Sequence, residues 1–122
     1  MKTKKKPKTV RQKLIKENDD LLREIIRKPC CERCKSIKIL QVAHIRSRKL
    51  LGIRWNVDNV FWFCYACHFH WAHKEPLEFD SYVLEKKGEK IYWMLKQYKS
   101  VPMKLDRIRM INIFLKQTLN KE

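Results

Sequence analysis

The sequence predicts a small α+β fold: a short two-stranded core stapled by cysteines and flanked by helices at both ends. Three observations predict it. Four of the five cysteines fall in two C-x-x-C pairs, Cys31/Cys34 and Cys64/Cys67, with 29 residues between the pairs. Two short stretches rich in branched and aromatic residues, Lys38–Ile45 (KILQVAHI) and Val60–Phe63 (VFWF), read as strands. The sequence on either side carries apolar residues at helical spacing.

Each element follows from local chemistry. Residues 1–9 are dominated by lysine and read as a disordered basic arm. Val10–Lys28 reads as a helix, because Leu14, Leu21, Ile25 and Ile15, Leu22, Ile26 recur at its period, and Pro29 ends it, giving an N-terminal helical segment over 10–29. Residues 30–76 hold the central domain. Its parts are the first cysteine knuckle, the first strand, a basic loop Arg46–Asp58, the second strand, the second knuckle, and a helix that starts within Tyr65–His73 and ends before Pro76. Residues 77–122 form a helical extension of three helices. These are Leu77–Lys87 with Gly88 as its C′ residue, Glu89–Lys99, and Lys104–Leu119 with Leu105, Ile108, Ile111, Leu115 and Leu119 on one stripe.

The cysteine spacing has a chemical meaning. An odd count argues against a disulfide framework. A two-residue gap lets both sulfurs of a turn face one metal about 2.3 Å away, so two knuckles supply the four thiolates of a tetrahedral zinc. A structural zinc on Cys31, Cys34, Cys64 and Cys67 is therefore expected, with Cys30 as the spare.

Charge points to the partner. Lys and Arg number 29 against 13 Asp and Glu, a net charge of +16, which suits a polyanion. Arg46, Arg48, Lys49 and Arg54 form a basic loop with no acid before Asp58, and are expected to contact nucleic-acid phosphates. Other classes are excluded. Two glycines cannot build a phosphate-binding loop. The longest apolar run, Val60–Cys67, has eight residues, against the ~20 needed to span a bilayer. The basic N-terminus has no apolar stretch behind it and is not expected to be a secretory signal, so the expected location is cytoplasmic, with no membrane partner.

The order of His44, Asn59, His68 and His73 adds a second layer. The stretch CERC…VAHI…WNVDNVFWFCYACHFHWAH resembles the HNH endonuclease superfamily, also called the His-Me finger or ββα-metal fold. It is most similar to the four-cysteine members that phages use in recombination, the endonuclease VII and NinG (Rap) types. The resemblance covers about residues 30–80. It implies a zinc-stapled ββα-metal core in which His44 is the general base that activates water. Asn59 then orients that base, and His68 is a ligand of a catalytic Mg²⁺ or Mn²⁺. It further implies phosphodiester hydrolysis on duplex or branched DNA, with Holliday-junction resolution as an extension that would need a homodimer. A phage-infected or prophage-bearing bacterial host follows from the same likeness.

One position departs from the family pattern. Many members place Asp before the base, as a second metal ligand, where this chain has Ala43. The replacements on offer are His73, His70 and Asp58. On an ideal α-helix His68 and His73 lie roughly 140° apart, whereas His70 and His73 share a face; His73 is nevertheless taken as the second ligand. The departure keeps other readings open: a non-catalytic zinc-dependent DNA-binding protein, or a sequence-specific or non-specific HNH nickase. An RNA-binding knuckle suits the charge but gives no reason for the His44, Asn59, His68 order.

Overall fold

A computed structural model describes residues 6–121. Residues 1–5, most of the expected basic arm, lie outside the described residues, and residues 6–9 carry no helix or strand. The elements run α1 (Val10–Ile26), β1 (Leu40–His44), α2 (Leu51–Arg54), a 3₁₀ turn (Val57–Asn59) and β2 (Val60–Cys64). There follow a π-helix (Ala66–Ala72), α3 (Pro76–Lys87), α4 (Glu89–Gln97) and α5 (Leu105–Asn120). The mixture of helices with one small sheet is the expected class. The chain divides into two compact units: a terminal unit made of residues up to Ile25 and from Met103 on, and a central unit, Ile26–Pro102.

The terminal unit is a pair of helices. Thr9 starts α1 with a reciprocal cap: its hydroxyl accepts from the Gln12 N–H at 3.1 Å, and Gln12 Oε1 accepts from the Thr9 N–H at 3.0 Å. The helix stops at Ile26, two residues short of the expected Lys28, because a residue preceding proline is driven out of helical backbone and Pro29 shortens the last turn. Leu22, Ile108 and Leu115 are buried in this unit. Contacts advance together along both helices: Arg11 Nη1 donates to the Met103 carbonyl at 2.7 Å, and Asn18 Nδ2 to the Ile108 carbonyl at 3.4 Å. Asn112 Nδ2 donates to Asn18 Oδ1 at 2.9 Å, and Lys116 pairs with Glu17 at 2.9 Å. The two helices therefore run in the same direction. Asn18 is wholly buried, so a slip of one helix past the other would strand its amide.

The central unit is built on β1 and β2, antiparallel with Leu40 opposite Cys64, Ala43 opposite Phe61 and His44 opposite Val60. β1 is shorter than the expected Lys38–Ile45 because Ile39 has a φ of +47°, which breaks the extended run. Gln41, Ala43, Phe61 and Phe63 share one face by their cross-strand pairing. The Phe61 and Phe63 rings stack at 5.0 Å, and Phe79 and Tyr82 of α3 close over them edge-on. Val83 and Leu95 bring α3 and α4 into the same core. α3 opens on Pro76 at its first turn. It closes on Gly88, whose φ of +88° suits glycine and whose carbonyl then begins α4. The expected loop Arg46–Asp58 is corrected: it contains α2 and the 3₁₀ turn, the latter capped by Asn56 Oδ1 accepting from the Asp58 N–H at 2.9 Å. Among the described residues no helix is long and apolar enough to cross a membrane.

The buried asparagine pair makes a prediction. Asn112→Leu alone should destabilise the protein by ~1–3 kcal/mol, since Asn18 keeps a buried amide without its partner. The double variant Asn18→Leu/Asn112→Leu should recover most of that loss. Denaturant unfolding of the parent, of Asn18→Leu and Asn112→Leu singly, and of the double variant measures the coupling, and strictly additive losses would refute it.

Candidate metal and active site

The two knuckles meet. Cys31, Cys34, Cys64 and Cys67 bring their sulfurs within 4.8 Å of one another. Cys34 and Cys64 Sγ are 3.5 Å apart, and the Cys67 N–H donates to Cys64 Sγ at 3.4 Å. The first knuckle is docked on β2: the Glu32 N–H donates to the Trp62 carbonyl at 2.9 Å, the Trp62 N–H donates back to Glu32 Oε2 at 2.5 Å, and Trp62 Nε1 donates to the Lys28 carbonyl at 2.9 Å. Arg33 lies over the Trp71 ring at 3.6 Å and points Nη1 at Cys67 Sγ at 3.5 Å. Cys30 stands outside the cluster.

The thiols differ in acidity. Burial opposes the Cys31 thiolate, yet backbone hydrogen bonds from Cys34, Cys64 and Arg33 hold its pKa down to about 7. Burial pushes the Cys64 thiol up, and pushes Cys67 up to about 12 against the help of Arg33. Four thiols this close do not ionise together in a buried site unless a cation sits among them. A tetrahedral ion about 2.3 Å from each sulfur reverses that penalty. The donor set and its spacing thus fit a metal such as zinc.

Two histidines meet on and just past the π-helix that carries Cys67. His68 and His73 place their rings 4.8 Å apart and almost perpendicular. The α-helical expectation for this stretch is corrected, because residues Ala66–Ala72 form a π-helix. The His73 N–H donates to the His68 carbonyl at 3.2 Å, an i→i+5 bond that stacks residues five apart. His70, which an α-helix would have put beside His73, instead packs its ring on Tyr65 at 5.3 Å. His68 Nδ1 donates to Gln41 Oε1 of β1 at 2.6 Å, which leaves its lone pair on Nε2. Burial, then the neighbouring His73 and His44, lower its pKa to about 4, so the ring is neutral at pH 7.

His44 and Asn59 frame the loop. His44 Nε2 lies 2.8 Å from the Arg54 carbonyl. A carbonyl only accepts, so Nε2 carries the proton and the neutral ring has its lone pair on Nδ1. Asn59 is fully buried. Its Oδ1 accepts from the Arg46 N–H at 2.8 Å, its Nδ2 donates to the Ile53 carbonyl at 3.1 Å, and its own carbonyl accepts from the Ile45 N–H at 2.8 Å. One side chain thereby clasps both ends of the loop that presents the Arg54 carbonyl to His44.

The other singled-out residues separate. Asp58 sits on the 3₁₀ turn within electrostatic reach of Lys87. Ala43 is buried against the aromatic core. Among the described residues the four cysteines are the sole cluster of three or more metal-binding groups, so no carboxylate completes a three-ligand set with His68 and His73. Arg46 turns inward, donating through Nη1 to the carbonyls of Leu95 and Tyr98 at the end of α4. Arg48 and Lys49 are exposed, and Arg54 donates to the Arg48 carbonyl at 3.2 Å. Gln41 is the residue that sequence reasoning missed. Its signal was present, as the one polar residue before the histidine within the apolar run of β1.

No family model, no curated protein and no solved structure matches the chain. The chain is a mixed protein of helices and one small antiparallel sheet, with four cysteines positioned to bind a metal such as zinc.

Metal removal checks that cluster. A strong chelator should melt the central unit's tertiary signal, and Cys64→Ser or Cys67→Ser should reproduce the loss with metal present. Elemental analysis beside near-ultraviolet circular dichroism reads it; an unchanged spectrum in chelator would mean that the thiols carry no folding role.

Proposed function

We propose that this protein is a metal-dependent DNA endonuclease of the HNH type, hydrolysing phosphodiester bonds around a zinc-stapled core. The observation that carries the reading is the acceptor that faces each histidine ring: a backbone carbonyl at His44 Nε2 and an amide oxygen at His68 Nδ1. His44 carries its proton on Nε2 against the Arg54 carbonyl, and His68 carries its proton on Nδ1 against Gln41. The first arrangement suits a general base acting through Nδ1, and the second suits a metal ligand acting through Nε2. The sequence resemblance assigns those same two roles to those same two residues.

The residues then have distinct tasks. His44 takes the proton from the attacking water at Nδ1, while Asn59 holds the loop that orients its ring. His68 and His73 would hold the catalytic cation. When bound, such an ion supplies charge for the developing phosphorane and the leaving 3′ oxygen. Two imidazoles without a carboxylate are a poor set for Mg²⁺, so Mn²⁺ is the better fit of the two ions. Hydrolysis leaves a 5′ phosphate and a 3′ hydroxyl. Arg48, Lys49 and Arg54 remain the candidates for phosphate contact, whereas Arg46 anchors the loop to α4. Branched recombination DNA is the proposed substrate, and paired nicks on a four-way junction would require a homodimer.

A second reading has its own observation. The buried Ala43 offers no ligand where the family pattern has Asp, which favours a zinc-dependent DNA-binding protein without catalysis.

Two experiments decide. Purified protein with Mn²⁺ should nick a labelled four-way junction, and His44→Ala should slow this by about 10²-fold or more, with DNA affinity and zinc content retained. Nicking that survives in His44→Ala would remove the base assignment, and binding with no nicking would leave the second reading. Gln41→Ala should weaken Mn²⁺ affinity by about 10–100-fold, with Gln41→Glu restoring it. Calorimetric Mn²⁺ titration measures both, and an unaltered Gln41→Ala would dissociate Gln41 from the metal.

A further inference from the structure

We propose that Tyr65 and Phe69 form a stacking platform for an unpaired nucleobase beside the His68–His73 pair, so that this face prefers single-stranded or branch-point DNA over duplex. The proposal deepens the nuclease reading, on which its meaning for the substrate rests; the stacking itself requires no catalysis.

Three aromatic residues of the central unit are exposed, Tyr65, Phe69 and Trp93, and of these Tyr65 and Phe69 meet. Phe61, Trp62 and Phe63 are buried, whereas Tyr65 and Phe69 stay 45% and 37% exposed. Their rings lie 4.9 Å apart, and Phe69 reaches the His68 ring at 4.3 Å and the His73 ring at 5.1 Å. The core does not need them: neither belongs to the aromatic cluster that fills it. What they supply is open π surface in direct contact with the proposed metal ligands.

The surroundings name the occupant. Asp58 is the single carboxylate from Arg33 to Lys74, a stretch that holds the second knuckle, the basic loop and all four histidines. Cationic surface with exposed aromatic rings is how proteins hold single strands, because every base has a π face and every linkage a negative charge. Duplex DNA hides its bases in the stack and cannot use such rings without being opened.

A strained neighbour supports this. Ile39 adopts a φ of +47°, which a β-branched residue rarely tolerates, and its side chain is 69% exposed, so no burial offsets the strain. Its carbonyl accepts from the Tyr65 N–H at 3.0 Å, which holds it next to the platform. Lys35, also at positive φ, and Lys38 flank it. An exposed isoleucine among lysines is the kind of apolar wedge that unstacks a base step.

The test uses the zinc-loaded full chain without Mg²⁺ or Mn²⁺, so that nothing is cut. A short single strand carrying 2-aminopurine, and its duplex, are titrated at one salt concentration. The single strand should bind about tenfold more tightly or better, with the 2-aminopurine emission quenched by stacking. Phe69→Ala and Tyr65→Ala should each weaken single-strand binding by about 5- to 100-fold and leave duplex binding within about twofold. Phe69→Trp should bind like the parent, while Phe69→Leu, which keeps apolar bulk without a π face, should bind like Phe69→Ala. Equal affinity for both forms, parallel losses on both, or full rescue by leucine would overturn the proposal. So would capture by anionic vesicles without quenching by the oligonucleotide, which would mark a membrane-facing patch. Quenching that persists in a protein unable to cut any DNA with Mn²⁺ would sink the nuclease reading and leave the platform standing.

Discussion

The central unit depends on the convergence of four sulfurs. Cys64 is the last residue of β2, opposite Leu40, and Cys67 lies in the first turn of the π-helix. Cys31 and Cys34 come from the segment that Glu32 docks on Trp62. A cation among them would join strand, helix and preceding segment at one point. That matters because a two-stranded sheet is marginal by itself. The thiol acidities express the same constraint, since burial holds Cys67 at about 12 while backbone N–H groups bring Cys31 to about 7.

On this frame hydrogen bonds orient Asn59, Gln41, His68 and His44. Asn59 satisfies its buried amide entirely within the loop it closes. Gln41 crosses from β1 to the π-helix and sets the His68 tautomer. His44 is set oppositely by a backbone carbonyl. Two imidazoles in one small unit thus offer different nitrogens. The wider turn of the π-helix brings His73 to His68.

Positive charge is put to two uses. Arg46 neutralises the carbonyl end of α4 and ties the loop to the core, an interaction with the negative end of a helix. Arg48 and Lys49 stay outside. Among the aromatic residues, β2 supplies Phe61, Trp62 and Phe63 to the interior, while Tyr65 and Phe69 just after it stay exposed.

Spacing and composition alone determined much of this protein. The C-x-x-C pairs specified the thiol cluster, because a two-residue gap fixes the direction of both sulfurs. Apolar periodicity specified α1 and α5 to within a few residues, and Pro29 and Gly88 marked the ends of α1 and α3 through backbone sterics. The tertiary structure decided the rest. The partnership of α1 with α5 was invisible because it joins segments about ninety residues apart through Asn18 and Asn112, polar residues that periodicity leaves out. The inward turn of Arg46 needed α4 as its partner, and a charge run carries no record of which member finds a carbonyl. The union of His68 with His73 needed a π-helix, and no residue pattern distinguishes its hydrogen bonds from those of an α-helix; the closing register is chosen by the core packed around it.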